Sequence, residues 1–326
     1  MKTKKYSVKK DGFYGLYFPW DKKYAGDKEQ QKQLKENPPK AAIILMLGDS
    51  PEDTLAKLGA RYMMKQGLNV LTMSPDKKDY GHHNYPLERF EAAIAALKKQ
   101  GNTKIGIAGA STTAMLSLIA ASYFPEDISF TLVFSPSDFV MEGFYQDGLD
   151  GARERPGDGT ESTVSYRGEP LPFLPFAYRH PEYWQKIAAA SKAGGDMIAS
   201  RPLFDESERR HPLREEEKIK VENIRGHIVF VGAEDDVLWD TCKYIRRMVA
   251  RLQEKNAPVT YDALLYKYGT HFAFPASLLT SLLPVGITPL FGLVFRSARR
   301  HPLACKKTRE DLDEKLPEII AAWLKA

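Results

Sequence analysis

Ser111 lies in Ile107-Ala108-Gly109-Ala110-Ser111-Thr112-Thr113-Ala114, with a strand-like run before it and a helix-like run after it. A serine on a sharp strand-to-helix turn is presented as a nucleophile. Such a turn needs small neighbours, which Gly109 and Ala110 supply. The motif reads Gly-x-Ser-x-Thr, because Thr113 replaces the usual second glycine; its side chain is tolerable there if it points away from the sheet. Taken alone, the motif also describes a serine that merely caps a helix. Two later sites turn it into a possible catalytic set. Gly232-Ala233-Glu234-Asp235-Asp236-Val237-Leu238-Trp239 follows the strand-like His227–Val231, and Tyr268-Gly269-Thr270-His271 follows the strand-like Tyr261–Tyr266. A lone histidine in a loop is more often surface. Serine, then aspartate, then histidine, each at the carboxyl end of a strand, is the order in which one serine-hydrolase architecture carries its triad. His271 would take the proton of Ser111, and Asp235 or Asp236 would orient the imidazole. Spacing does not separate the two aspartates; the other one would face solvent or cap the next helix. Two backbone N–H donors must also face the oxyanion, each contributing roughly 2.7–4 kcal/mol in the transition state. The expected donors are Thr112 and, from Gly48-Asp49-Ser50-Pro51, Asp49. The Asp49 carboxylate would have to point away or cap the helix that follows. His82-His83 could line the mouth of such a site, although a solvated loop is the simpler reading.

The elements that must hold these residues alternate. Ala41–Leu47, Asn69–Met73, Lys104–Ala108 and Ile128–Phe134 read as strands. Leu55–Gln66, Pro86–Gln100 and Thr112–Tyr123 read as helices between them. This alternation predicts an α/β fold, a mostly parallel sheet flanked by helices. It resumes at His227–Val231, the helix Asp240–Lys255, Tyr261–Tyr266 and a last helix over Glu310–Leu324. Three segments fall outside the pattern. Residues 1–40 read as an N-terminal hairpin turning at Asp11-Gly12, then a polar loop or short exposed helix. Residues 137–219 are rich in Pro, Gly and charge, with one helical piece near Tyr183–Ser200, and read as a cap. Residues 272–305 read as a second, apolar insertion or lid, and the whole chain as a single domain.

Composition bounds the rest. Charged residues make up 27% and the net charge is +5, with acids and bases interspersed, which suits a soluble surface rather than a nucleic-acid stripe. Cys242 and Cys305 stand outside any metal-spaced motif, and two cysteines make no disulfide framework. A reducing cytoplasm is the expected compartment, no cofactor or metal is called for, and the oligomeric state is open. No apolar stretch follows the basic N-terminus, so a secretory signal is not expected. Phe272 to Phe295 carries no charge, and a run of that kind can cross a bilayer. Pro275, Pro284, Pro289, Gly286 and Gly292 break it, since an interior proline costs a helix roughly 3 kcal/mol. It reads as a lid or pocket wall, with contact to a lipid surface as the alternative.

Several landmarks resemble the catalytic domain shared by acyl-CoA thioesterases and bile acid-CoA:amino acid N-acyltransferases, near the dienelactone hydrolases. They are Gly106 to Thr112 (GIAGAST), Val164 to Phe176 (VSYRGEPLPFLPF), Val221 to Trp239 (VENIRGHIVFVGAEDDVLW) and Tyr266 to Pro275 (YKYGTHFAFP). The resemblance runs from about Ala41 to Pro275. It implies an α/β-hydrolase fold and, with the acid placed three residues before the tryptophan, favours Asp236 over Asp235. The family's thioesterases use serine and its amino-acid transferases cysteine, so Ser111 implies hydrolysis. This sequence departs from the family at Gly48-Asp49-Ser50, which stands in place of a glycine-rich oxyanion stretch, and at Thr113. In front of the core it has a hairpin where larger members have a β-sandwich. These departures count against CoA thioesters as the substrate.

The expectation is therefore a serine hydrolase that cleaves an acyl ester or thioester, with residues 137–219 and 272–295 enclosing an apolar pocket for a small acyl substrate. Acyl transfer to an amine on the same fold is one rival. A non-catalytic, membrane-associated binding protein on a hydrolase scaffold is the other; it would set Ser111 far from His271.

Overall fold

The computed structural model describes residues 3–24, 32, 39–76, 81–148, 154–279 and 288–326. The sheet strands are Lys4–Tyr6 (β1), Gly15–Phe18 (β2), Ala41–Met46 (β3), Asn69–Met73 (β4), Lys104–Ala110 (β5), Ile128–Phe134 (β6), His227–Ala233 (β7) and Thr260–Tyr266 (β8). They form one eight-stranded sheet in the order β1-β2-β4-β3-β5-β6-β7-β8. β2 runs antiparallel to both its neighbours, and every pairing from β4 to β8 is parallel. This is the α/β-hydrolase topology that the strand and helix order predicts.

The apolar runs form central strands because both faces are covered. In β3 every residue is buried. Ala42, Ile44 and Met46 join one core, and Ala41, Ile43 and Leu45 join the other. On the first face lie Glu88–Lys99 (α2), Thr112–Tyr123 (α3) and Thr241–Glu254 (α6), through Phe90, Leu116 and Ile245 among others. On the second lie Thr54–Lys65 (α1) and Pro302–Lys325 (α7), through Met63, Leu312 and Leu316. The chain leaves β3 for β4 on one side and returns to β5 on the other. The carboxyl ends of β3 and β5 therefore flank a switch point, where an open α/β sheet leaves a crevice for a ligand.

Three expectations need correction. Strands β1 and β2 do pair, but Val8–Asp11 forms a helical turn between them, closed by left-handed Gly12 (φ 81°). The connection is thus longer than an Asp-Gly turn, and the hairpin adds two strands to the main sheet. In the cap, the helix starting near Tyr183 ends at Gly194 (Glu182–Gly194, α4), and a second helix follows, Arg201–Arg210 (α5). Its charge hides it, since it buries only Leu203, Phe204 and Ser207. The last helix begins at Pro302 rather than Glu310, because proline suits the first helical turn.

Short β-pairings order the cap, and one of them ties it to the segment before α2. Val164–Tyr166 pairs with Tyr85–Pro86 and with Glu169–Pro170, and Phe144–Tyr145 pairs with Arg155–Pro156. After His271 the chain forms short helices at Ala276–Leu279, Thr288–Val294 and Arg296–Arg300. Residues 280–287 of the apolar run, and most of the polar stretch 21–40, lie outside the described residues. Among the described residues, no helix is long and apolar enough to cross a membrane.

Candidate active site

Ser111 ends β5 and starts α3 with φ 59° and ψ −130°. This backbone is unfavourable for a residue with a side chain, by about 1–3 kcal/mol, and persists only where its surroundings fix it. They do so here. The Ser111 N–H donates to the Phe134 carbonyl at 2.9 Å, so the strand ladder runs up to the turn. Gly109 is required at the crossing, because a Cβ there would stand 2.3 Å from the Thr113 carbonyl and 2.5 Å from Ser117 Oγ. Thr113 does not point away as expected. Its hydroxyl donates to the Met46 carbonyl at 2.6 Å and accepts from the Ala110 N–H at 3.1 Å. The residue that breaks the glycine motif thereby ties the turn to the end of β3.

The structure brings Ser111, His271 and Asp236 together. His271 Nε2 lies 2.8 Å from Ser111 Oγ, and Nδ1 lies 2.8 Å from Asp236 Oδ2. His271 and Asp236 are each 1% exposed, so the pair works away from bulk water. Asp236 Oδ1 also accepts from the Leu238 N–H at 2.9 Å, and Oδ2 from the Thr241 hydroxyl. These bonds fix the carboxylate in one rotamer. The Trp239 indole packs edge-on to the imidazole with centroids 4.6 Å apart, and its Nε1 donates to the Ser135 carbonyl at 3.2 Å. Ser135 Oγ in turn donates to the His271 carbonyl at 2.6 Å.

Asp235 neither faces solvent nor caps a helix; Asp240 caps α6. Asp235 Oδ1 accepts the N–H groups of Gly269 and Thr270 at 2.9 and 2.8 Å. Thr270 has φ 62°, so Asp235 holds a strained residue directly before His271. From the other side comes Arg309, which sequence reasoning missed. Its guanidinium, 1% exposed, donates to the carbonyls of Phe272, Phe274 and Gly269 at 2.6, 3.3 and 3.3 Å. Burial lowers it to about 10. The signal was spacing: Arg309 occupies the buried stripe of α7 with Cys305, Leu312, Leu316, Ile320 and Trp323.

Thr112 and Asp49 both border Ser111 in the cavity. Among the described residues, neither backbone N–H donates to a protein acceptor. The Asp49 side chain is exposed, and the capping expected of it falls to Asp53, which accepts from Ala56 N–H at 2.8 Å and Ser50 N–H at 3.2 Å. Gly48 (φ +83°) packs so close to Asp53 that a Cβ would strike its carboxylate. His82 is not solvated. It is 6% exposed, lines the cavity and stacks on Phe144 with centroids 4.6 Å apart. Burial, with the neighbouring His83, pushes it down to about 3, so it is neutral. His83 is half-buried against Tyr145. Cys242 and Cys305 are buried thiols pushed up to about 12 and about 11 by burial, so neither is a thiolate.

Ser111 opens into a cavity of 570 Å³. The cap contributes Met141, Phe176, Trp184 and Phe204 to its wall, and the segment after His271 contributes Phe272, Phe274 and Val294. Volume and lining are those of a site for a largely apolar small molecule.

The sequence matches no curated protein. Among solved structures, a sugar hydrolase (YeeB) of Lactococcus lactis is 12% identical with a TM-score of 0.50, over 99% of both chains. An esterase of Pyrococcus furiosus is 12% identical with a TM-score of 0.47, over 98% of this chain and 94% of that one. Est1E of Butyrivibrio proteoclasticus is 14% identical with a TM-score of 0.38, over 80% and 87%. At 12% identity the likeness to the sugar hydrolase concerns the fold alone. A family model matches residues 85–278, more than half of the chain, in a span that holds Ser111, Asp236 and His271. The chain belongs to the family described as BAAT / acyl-CoA thioester hydrolase C terminal.

Proposed function

We propose that the protein is a serine hydrolase that cleaves an acyl ester or acyl thioester through an acyl-enzyme on Ser111. The observation that carries this reading is the continuous relay Ser111 Oγ–His271 Nε2 (2.8 Å) and His271 Nδ1–Asp236 Oδ2 (2.8 Å) at the floor of an apolar cavity. Asp236 accepts a hydrogen bond from Nδ1–H, which keeps the proton on Nδ1 and leaves the Nε2 lone pair free to receive the proton of Ser111 as its oxygen attacks the acyl carbonyl. The tetrahedral oxyanion faces the N–H groups of Thr112 and Asp49. The imidazolium returns its proton to the departing alcohol or thiol, leaving an ester on Ser111. Water then attacks that ester while His271 takes its proton, and collapse releases the acid and restores the serine.

Ser111 stands within hydrogen-bonding distance of its base, which speaks against a non-catalytic scaffold. The test is turnover of a series of water-soluble p-nitrophenyl acyl esters, with free acid and any conjugate measured with and without glycine or taurine. The wild type should release free acid in both conditions, and Ser111→Ala should lose at least about a thousandfold in kcat. Conjugate as the main product would replace hydrolysis by acyl transfer. Undiminished turnover by Ser111→Ala would refute both.

A further inference from the structure

The rim between the cap and the segment after His271 carries a surface that the chemistry at Ser111 does not use. The two segments are laced together there. The Met197 N–H donates to the Val294 carbonyl and the Arg296 N–H to Asp196 Oδ1, both at 2.7 Å. Arg296 Nη1 donates to the Gly194 carbonyl at 3.0 Å, and the Arg299 guanidinium to those of Gly292 and Gly195 at 2.8 and 2.7 Å. Met197 lines the cavity and is also 69% exposed, so this rim is part of the cavity mouth.

Large apolar side chains stand in water along it. Leu293 is 68% exposed and Leu303, at the start of α7, is 80% exposed. Buried area elsewhere is complete enough that such side chains are scarce among the described residues, so their concentration here asks for a cover.

The charge beside them is mostly positive. Between His271 and Glu310 the sequence has no Asp or Glu, but it has Arg296, Arg299, Arg300, Lys306, Lys307 and Arg309. Elsewhere arginines meet carboxylates, as in Arg201–Asp240, Arg247–Asp138 and Arg251–Glu222. Among the described residues, Arg299 donates only to backbone carbonyls and Arg300 is exposed without an ion pair, while Lys306 pairs with Glu310 at 3.4 Å and Lys307 lies near Asp311, whose carboxyl it helps to lower. Leucine and methionine that can enter the headgroup boundary, flanked by an excess of cations over carboxylates, complement a bilayer with anionic headgroups. A nucleic acid would use the cations but leave Leu293 and Leu303 in water.

We propose that this rim docks the protein on an anionic lipid surface with the cavity mouth facing the bilayer. Docking does not depend on the chemistry at Ser111, and it is read without turnover. The experiment is flotation of the full chain with vesicles of phosphatidylcholine alone and of equal parts phosphatidylcholine and phosphatidylglycerol. The protein should float with the anionic vesicles, stay down with the neutral ones, and be released by salt. Leu293→Glu, and separately the pair Arg300→Glu with Lys307→Glu, should each weaken vesicle binding about tenfold or more. Both variants should hydrolyse a water-soluble ester as the wild type does, which also shows that they fold. Failure of the wild type to float with anionic vesicles, or variants that float equally well, would overturn the proposal. So would binding to a single-stranded oligonucleotide as tight as to vesicles and insensitive to Leu293→Glu, which would make the rim a polyanion site.

Discussion

Replacing each of the two adjacent aspartates by asparagine should give very different results, and the structure supplies the reason. Asp236 Oδ2 accepts a hydrogen bond from His271 Nδ1–H at 2.8 Å, while Oδ1 accepts the Leu238 N–H at 2.9 Å. In Asp236→Asn the amide oxygen can keep the Leu238 bond, but its NH2 then faces Nδ1. The imidazole must present a lone pair there and carry its proton on Nε2, aimed at Ser111. It can no longer accept the serine proton. Loss of the correct tautomer in a triad costs about 10⁴ in kcat, which is about 5.5 kcal/mol of barrier. In Asp235→Asn one oxygen can still accept both the Gly269 and Thr270 N–H groups, which share Oδ1 in the native protein. The new NH2 meets Ser297 Oγ, a hydroxyl able to accept. The loop before His271 keeps its shape, and kcat should fall by less than about tenfold. The assay is the full rate curve of both variants on one p-nitrophenyl ester, with circular dichroism to verify folding. Equal losses in the two variants, or a larger loss in Asp235→Asn, would refute the roles given to the two carboxylates.

Two further outcomes follow from groups around the site. Arg309→Met should leave the buried carbonyls of Gly269, Phe272 and Phe274 without their donor. This should cost roughly 2–4 kcal/mol, a fall in Tm of about 5 °C or more, with kcat reduced and KM little changed; a variant with native Tm and native kcat contradicts the clamp. Burial raises the Asp138 carboxyl from 3.8 to about 6, against the opposing pull of Arg247. In that window the folded state holds a proton that the unfolded chain has released, so this group's contribution to stability falls as pH rises through it. Thermal melts between about pH 4 and about pH 7 should therefore show Asp138→Asn gaining on the wild type toward neutral pH; parallel curves would refute the assignment.

Much of the fold is legible in the sequence because the core strands are buried on both faces. Asn69–Met73, Thr112–Tyr123 and Ile128–Phe134 keep the bounds that their apolar spacing predicts. The line-up of Ser111, Asp236 and His271 is legible for a related reason, since a parallel sheet gathers the loops after its strands at one edge. What is hidden depends on contacts between distant segments. Asp235 and Asp236 are neighbours whose side chains leave a turn in different directions, and only the packed His271 loop reveals which one meets the imidazole. The roles of Asp49 and Asp53 depend on where α1 begins. Thr113 looks like a defect in a motif until β3 is seen to offer it the Met46 carbonyl. Helix α5 escapes notice because a cap helix needs only a narrow apolar face, and its ten residues bury three. Arg309 lies in plain view as the one charge in an apolar stripe.

Activation of Ser111 by His271 is what makes the site nucleophilic in this reading. The most direct measurement is reaction with a fluorophosphonate, followed by intact mass and by mapping of the modified peptide. The wild type should form one adduct, on Ser111, which Ser111→Ala abolishes and His271→Ala greatly slows. An adduct that persists in Ser111→Ala, or a folded wild type that forms none, would contradict it.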